Sequence, residues 1–457
     1  MGISPVIAVL GILAMTALAL AGLVRPFVGL VVLVILHFLQ PTELIPALAP
    51  FRIELAYGLL VAIVWMLRNG IPAISTVFSN SVFRGPIILL VYATLTVPFA
   101  VWKGGALEQV TVLAKLVVIM VFLGTLIETE GQMKFIVWVL VGLLAWYAGS
   151  AITAYTSGDF AVGEGLDRAV GESSIVGDPN ALGGLIIALI PFLVAAFHFS
   201  RKFFPRLALM IIALLAFAAL AVTGSRTSLL ALMGIAIYYI YQSRRKLITL
   251  SLITITAIVF WLGLPAKYQQ RYFSTVEYAQ GKKLDESNQL RLRVWEAGLR
   301  MFIDHPILGV GAGQFPTAYG LTYSSRRHGA WMQPHNLIIQ TACELGVIGL
   351  FIFGSYIVRL VKANGYLLQL DERAGFEVNY NVAVACGALF FGAALASMFG
   401  HTLYRPYWYI LGGFVAANQL LARKKADVTK EEPGAGRESM PMRDDMLTPE
   451  PLLKGDH

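Results

Sequence analysis

The chain has 457 residues, of which 57% are hydrophobic and only 14% are charged, and its mean hydropathy is +0.70. A soluble domain is typically about 45–50% apolar and about 25% charged, so these charges are too few to cover a water-soluble core. The formal net charge of +8 does not indicate nucleic-acid binding, because the basic residues stand in short clusters between apolar runs. The composition therefore excludes a soluble globular domain and predicts an integral membrane protein.

A helix that crosses a membrane requires roughly 20 apolar residues, and the chain contains 12 or 13 runs of about that length. The runs cover residues 5–24, 27–43, 53–68, 85–102, 108–127, 133–155, 180–198, 205–223, 228–242, 246–264, 335–361, 380–400 and 404–421. No basic segment precedes the first run, so we predict a retained helix rather than a signal peptide. The predicted fold class is an all-α membrane bundle of 12 or 13 helices, with a large polar loop between the tenth and eleventh.

The basic clusters between the runs predict the orientation of the bundle, because cytoplasmic loops carry an excess of Lys and Arg. Clusters occur at 201–202, 244–246 and 423–425. We therefore place these ends, and the C-terminus, in the cytoplasm. The external face then receives the acidic loop 156–179, the turn 224–227 and the long segment 265–334.

This organisation divides the chain into four predicted parts. They are an N-terminal transmembrane bundle at 1–264, an external loop with an amphipathic helix at 265–334, C-terminal transmembrane helices at 335–425 and a disordered cytoplasmic tail at 426–457. The amphipathic helix is predicted over Asn288–Phe302, where apolar residues recur at helical spacing.

Two smaller features of the sequence are predicted to be structural. The glycines of Gly309–Gly313 do not follow a strand or open a helix, so they are not a dinucleotide motif, and we predict a flexible loop. Cys343 and Cys386 lie in apolar runs and are predicted to be buried packing residues rather than a disulfide or a metal site.

His335 stands in Pro334-His335-Asn336, where the external loop reaches a long apolar helix. A histidine at such a boundary changes protonation near neutral pH, so it can act as a general base. The alternative is an ordinary helix-start residue at a wet interface. In the helix that follows, Gly346 and Gly349 would let another helix approach closely.

Several basic side chains fall on the same predicted face. Arg226, in a tight turn, is either an interface anchor or an anion ligand. Arg291 and Arg293 belong to the amphipathic helix, where they either form a solvated face or bind phosphate. Arg168 and Asn180 frame the start of another helix, and Asn180 could simply cap it.

Taken together, Arg168, Arg226, Arg291 and His335 come from four separated segments that the predicted topology places on one face. Three arginines and a histidine would suit a doubly anionic substrate such as a pyrophosphate, with Arg293, Asn180 and Asn336 as possible supporting residues. No Asp or Glu cluster with metal-ligand spacing accompanies them, so we predict no metal and no cofactor.

These residues carry a family resemblance. His335-Asn336, followed by Gly346-x-x-Gly349, resembles the signature of the bacterial O-antigen ligase and O-antigen polymerase superfamily. Further similar segments are Gly224-Ser225-Arg226, Arg291-Leu-x-x-Trp295, Asp304-His305-Pro306-Ile-Leu-Gly309-Val-Gly311 and Asp178-Pro179-Asn180-Ala-Leu-Gly183. The resemblance covers about 165–360 by motif and the whole chain by architecture.

The resemblance implies a glycosyltransferase of the bacterial inner membrane with its active site on the periplasmic face. Such enzymes move a glycan from undecaprenyl pyrophosphate to an acceptor hydroxyl, on lipid A core or another surface acceptor, without a metal and with inversion. By carry-over, His335 deprotonates the acceptor, Arg226 and Arg291 hold the pyrophosphate, and Arg168 assists.

Two alternatives stay open. A polymerase of the same superfamily joins repeat units on the lipid carrier and shares these motifs. Here Leu350-Phe351 follows Gly349 where the ligase signature often has two threonines, which bears on the lipid A acceptor. A secondary transporter or lipid flippase is the alternative of another class, although it would often show a repeated half, and none is evident.

Overall fold

The computed structural model describes residues 16–17, 19–45, 52–163, 166–171, 173, 176–270, 286–324, 331–370 and 375–431. The helices are α1 (Pro26–Leu39), α2 (Pro41–Leu44), α3 (Ile53–Ser79), α4 (Ser81–Thr96), α5 (Lys103–Leu126), α6 (Glu130–Thr156), α7 (Pro179–Phe199), α8 (Phe203–Thr223), α9 (Arg226–Gln242), α10 (Lys246–Gly263), α11 (Glu286–Asp304), α12 (Phe315–Ala318), α13 (Leu337–Leu367), α14 (Glu377–Ser397) and α15 (Pro406–Glu431). A 3-10 turn at Val97–Phe99 follows α4, and a π-helical turn at Tyr319–Tyr323 follows α12. Strands β1 (Ala161–Gly163) and β2 (Leu166–Arg168) pair antiparallel in one hairpin.

The all-α membrane class is confirmed, with this short hairpin as an addition. Within the described ranges, eight helices are long and apolar enough to cross a membrane, judged by length and composition. The number of 12 or 13 spans stays a prediction, and most of the first predicted span lies outside the described residues. The predicted 27–43 run is broken at Gln40, which adopts a left-handed conformation (φ 45°) before Pro41.

The predicted cytoplasmic clusters lie at one end of the bundle. Arg201 pairs with Glu377 at 3.6 Å, and the Gln242 amide donates a hydrogen bond to Tyr380 near the same helix start. Lys425 pairs with Glu130 at 2.6 Å. These contacts bring the ends of α7, α9 and α15 together with the starts of α6 and α14, as alternating spans require.

At the other end, α11 lies against the first turns of α13. The predicted amphipathic helix is confirmed, and it extends over Glu286–Asp304. Val294, Ala297 and Met301 are buried in a small apolar cluster with Phe315 and Cys343. Both cysteines are free and buried, as predicted.

The glycine segment 309–313 is not the flexible loop that the sequence predicted. Gly309, Gly311 and Gly313 all have positive φ (70°, 106° and 69°), a conformation that only glycine adopts without strain. This backbone turns its N–H groups toward α13. The Gly311 N–H donates to the backbone oxygen of Glu344 at 3.0 Å, and the Gly313 N–H donates to the Glu344 carboxylate at 3.0 Å. The glycines therefore fix the segment in place.

Gly346 was predicted to let a second helix approach, but its close neighbour is a loop. Its φ of 66° interrupts α13, and an added Cβ would collide with the carbonyl oxygen of Ile307. The Val347 N–H, freed by this break, donates to the carbonyl of Pro306 at 2.8 Å. An added Cβ at Gly349 would meet Leu345 of the same helix. The two glycines therefore allow α13 to bend around the 306–307 backbone.

The C-terminal boundary also differs from the prediction. A disordered tail was predicted from residue 426, but α15 continues to Glu431. The rest of the predicted tail, 432–457, lies outside the described residues. The other predicted part boundaries stay predictions.

Candidate functional site

The four residues singled out by the sequence line one cavity of about 180 Å³, which we call the arginine cavity. Its walls come from β2, the starts of α7 and α9, one face of α11 and the segment before α13. The lining residues are Arg168, Asp178, Asn180, Arg226, Thr227, Leu290, Arg291, Val294, Met332 and His335. The structure thus brings together side chains that are up to 167 positions apart in the chain.

Arg168, at the end of β2, is fixed by a buried polar network. Its Nε donates to the backbone oxygen of Thr223 at 2.8 Å, and its Nη2 donates to Asn180 Oδ1 at 3.0 Å. The Ser225 hydroxyl donates to the same Asn180 oxygen at 2.9 Å. Asn180 does not cap α7, because Asp178 does so by accepting from the N–H groups of residues 180 and 181. Asn180 instead orients the Arg168 guanidinium.

Arg226 lies at the first position of α9. Gly224 ends α8 in a left-handed conformation (φ 57°), and Ser225 caps α9 by accepting from the N–H of Ser228. The predicted tight turn is therefore a helix C-terminus followed directly by a helix N-terminus. The starts of α7 and α9 both reach the cavity, and the positive end of a helix dipole favours an anion.

The two arginines of α11 are separated by the structure. Arg291 is half-buried and lines the cavity, whereas Arg293 is exposed and does not line it. Residues two positions apart point to different faces of a helix, and the apolar face of α11 settles which of the two turns inward. Arg293, predicted as a possible supporting residue, is a solvated side chain.

His335 has an unusual backbone conformation, with φ of 45°. Such a conformation is uncommon in residues other than glycine and is concentrated at functional sites. Its position is fixed from both sides. The Trp295 indole donates to the carbonyl of Pro334 at 2.8 Å. Asn336 caps α13 and donates its amide to the carbonyl of Met398 at 3.1 Å.

The imidazole of His335 is neutral at pH 7. Burial, followed by the positive charge of Arg291, lowers its pKa to about 4, and the carboxylate of Asp178 opposes this shift. The sequence predicted titration near neutrality, which is the behaviour of an exposed histidine. Because a neutral imidazole has a free lone pair, His335 can accept a proton over the whole physiological range.

His401 is a neighbour that the sequence analysis missed. Its ring meets the ring of His335 edge to face, with centroids 5.2 Å apart. Burial, with the charge of Arg405, lowers its pKa to about 3. The sequence feature that could have indicated His401 is its position in the short polar break between the last two apolar runs. Such a break is equally typical of an ordinary loop.

The arrangement can bind an anion beside a proton acceptor. Three guanidinium groups and two helix starts face a cavity that contains one carboxylate, Asp178, and a neutral imidazole. Among the described residues, no group of three or more His, Cys, Asp or Glu side chains is placed to hold a metal ion.

Comparison with known families supports the resemblance seen in the sequence. Residues 211–354 match the family model described as O-antigen ligase. The matched range runs from the middle of α8 to the middle of α13, and so includes Arg226, Arg291 and His335 but not Arg168 or Asn180. No curated protein matches the chain.

Proposed function

Because this chain belongs to the O-antigen ligase superfamily, we propose that it transfers a glycan from undecaprenyl pyrophosphate to an acceptor hydroxyl. The observation that carries the proposal is the convergence of Arg168, Arg226 and Arg291 with His335 in one cavity. Taken alone, each of these residues can be explained by a structural role. Structural roles do not explain why three arginines and a neutral histidine line the same cavity.

The arginines are proposed to bind the pyrophosphate. With three arginines against Asp178, and His335 neutral, the described lining residues carry a formal charge of +2 (3 − 1). A guanidinium offers a planar fork of donors that fits phosphate oxygens. Arg168 is already oriented by Thr223 and Asn180, so it loses little freedom on binding.

His335 is proposed to be the general base. The acceptor oxygen forms a bond to the anomeric carbon of the donor, and the bond from that carbon to the pyrophosphate oxygen breaks. The acceptor proton passes to His335, and the electron pair of the broken bond leaves with undecaprenyl pyrophosphate. Attack opposite the leaving group inverts the anomeric centre. The guanidinium groups stabilise the charge that develops on the leaving group, so the proposal needs no metal.

The proposed location is the inner membrane, with the cavity on the periplasmic face and the C-terminus in the cytoplasm. The support is the position of the basic clusters at the opposite end of the bundle from His335. We propose lipid A core or another surface glycan as the acceptor, which makes the protein a ligase. A polymerase, with a second carrier-linked glycan as acceptor, is the alternative that the same site serves.

The test is glycan transfer by purified protein in liposomes. The donor is an undecaprenyl-pyrophosphate glycan, lipid A core is the acceptor, and EDTA is present. We expect labelled glycan on lipid A with the wild type and none with His335→Ala. His305→Ala is the matched control, because His305 is exposed and lies outside the cavity.

Other outcomes are equally informative. Growth of the glycan on the undecaprenyl carrier would make the protein a polymerase. Equal transfer by wild type and His335→Ala would overturn the role of His335. Movement of the carrier lipid across the liposome membrane without any transfer would support the flippase alternative.

A further inference from the structure

A second cavity lies beside His401, and the site proposed above does not use its residues. Its volume is about 300 Å³, which is at the lower end of the range of roughly 300–1,000 Å³ for small-molecule sites. Four carboxamide side chains line it, and we call it the glutamine cavity. They are Gln40, Gln109, Gln333 and Gln340.

The two cavities meet at a pair of histidines. His335 lines the arginine cavity, His401 lines the glutamine cavity, and the two rings are in contact. The glutamine cavity therefore adjoins the wall of the arginine cavity at the proposed base and its neighbour.

The glutamine cavity has a balanced set of charged side chains. Among its described lining residues, Lys115 and Arg405 are basic and Glu54 and Glu344 are acidic, two of each. Glu54 is paired within the cavity wall, with Lys115 at 2.8 Å and with His37 at 2.6 Å. This lining does not select an anion and contrasts with the +2 of the arginine cavity.

The wall also presents polar atoms that protein groups leave unpaired. His37 is 6% exposed, and its Nε2 has no hydrogen-bond partner among the described residues; the same holds for Nδ1 of His401. A buried polar atom without a partner costs about 1–3 kcal/mol. Ionisable side chains within a membrane bundle are rare and usually functional, and Lys115 and Glu344 of this wall stand in candidate membrane-spanning helices.

We propose that the glutamine cavity binds the sugar ring that carries the attacking hydroxyl, an inference that rests on the proposed function. A sugar is neutral and presents many hydroxyl groups, each of which both donates and accepts. Carboxamides do the same, and carboxylates accept. The cavity thus matches the acceptor in chemistry, as the arginine cavity matches the leaving group. The reaction requires the attacking hydroxyl to extend past His401 to His335 and to the anomeric carbon at the arginine cavity.

The test compares the Michaelis constants for the two substrates. Gln109→Ala and Lys115→Met each remove one polar group of the cavity. We expect the acceptor KM to rise about 3- to 10-fold, the effect of one net hydrogen bond, with the donor KM unchanged. The matched controls are Gln369→Ala and Lys362→Met, whose side chains are exposed and line neither cavity. Unchanged acceptor KM in both cavity variants would overturn the proposal.

The acceptor sugar could be carried by lipid A core or by a second undecaprenyl carrier, so both are used as acceptors in separate arms. A rise in KM for either acceptor supports acceptor binding in the glutamine cavity and identifies the molecule that carries the acceptor sugar. Thermal unfolding of each variant, compared with its control, shows that it is folded.

A binding measurement separates this inference from the proposed function. Lipid A core oligosaccharide without its acyl chains, or the free repeat-unit glycan, is titrated into the purified protein and followed by calorimetry. If the wild type transfers nothing yet binds one oligosaccharide, and Lys115→Met weakens that binding, the proposed function fails, and the glutamine cavity is a sugar site without an attacking hydroxyl. If the wild type transfers glycan but binding and KM are insensitive to Gln109 and Lys115, only the cavity assignment fails.

Discussion

The arginine cavity and the glutamine cavity share a wall but are built in opposite ways. In the first, three arginines stand beside one acid among the described lining residues, and Arg168 is oriented by hydrogen bonds to Thr223 and Asn180. In the second, acids and bases are equal in number, and Glu54 is already paired with Lys115 and His37. A cavity lined by excess charge favours ions, whereas a cavity lined by paired charges and amide groups favours hydroxyl groups. In the proposed reaction, this difference assigns the leaving group to the first cavity and the acceptor to the second.

The largest expected effect comes from the residue between the two cavities. His335→Gln should lower the turnover number for transfer by about 10²–10⁴-fold, the usual contribution of a general base, while both Michaelis constants change little. Steady-state transfer kinetics measure it. A loss that appeared only in the donor KM would instead make His335 a binding residue of the arginine cavity.

The next effect should be confined to the arginine cavity. Arg291→Ala should lower kcat/KM for the donor by about 10²-fold, as expected for one group that stabilises developing charge. Arg293→Ala, in the same helix and exposed, should stay within twofold. Similar losses in both variants would mean that the positive charge of α11 acts at a distance rather than through contact.

A backbone change should affect both cavities together. Gly346→Ala places a Cβ against Ile307 and forces alanine into a left-handed conformation, which alone costs about 1–2 kcal/mol. We expect a lower melting temperature and weaker use of both donor and acceptor. Gly354→Ala in the same helix meets nothing within 4 Å and should be neutral or stabilising by up to about 1 kcal/mol. Equal melting temperatures for Gly346→Ala and Gly354→Ala would show that the 306–307 backbone can move aside at little cost in stability.

The smallest effect is a shift in pH dependence. His335 must be neutral to act as a base, and its pKa is lowered to about 4 by burial and by Arg291, so donor kcat/KM should fall only as pH drops through that region. Arg291→Gln removes a positive charge that opposes the imidazolium, so its acid limb should move to higher pH. Arg293→Gln should leave the limb in place. An acid limb near the ordinary histidine value of about 6.5 in the wild type would contradict the buried position of His335.

The sequence predicted the features that form a repeating pattern along the chain or that contrast with the residues around them. The apolar runs, the amphipathic α11 and the four residues of the arginine cavity all belong to this class. The glutamine cavity was not predicted, because α1, α3, α5 and α13 each contribute only one or two polar residues to it. His37, Lys115 and Glu344 were individually visible, but only tertiary packing shows that they meet.

The glycine segment was mispredicted for a different reason. Gly309, Gly311 and Gly313 read as chain flexibility, since glycine has the widest range of backbone conformations. What decided their structure was a partner far along the chain, Glu344, whose backbone oxygen and carboxylate accept the N–H groups of Gly311 and Gly313. Local composition contains no information about such a partner.

The arginine cavity lies between two hydrogen-bonded parts of the molecule. Arg291 and His335 belong to one part, because the indole of Trp295 is bonded to Pro334. Arg168 and Arg226 belong to the other, where β2 is bonded to the end of α8. A polyanion in the cavity would complete the junction between them, and binding free energy would then add to folding free energy. Inorganic pyrophosphate alone should therefore raise the melting temperature of the protein, in proportion to the logarithm of its concentration at saturation.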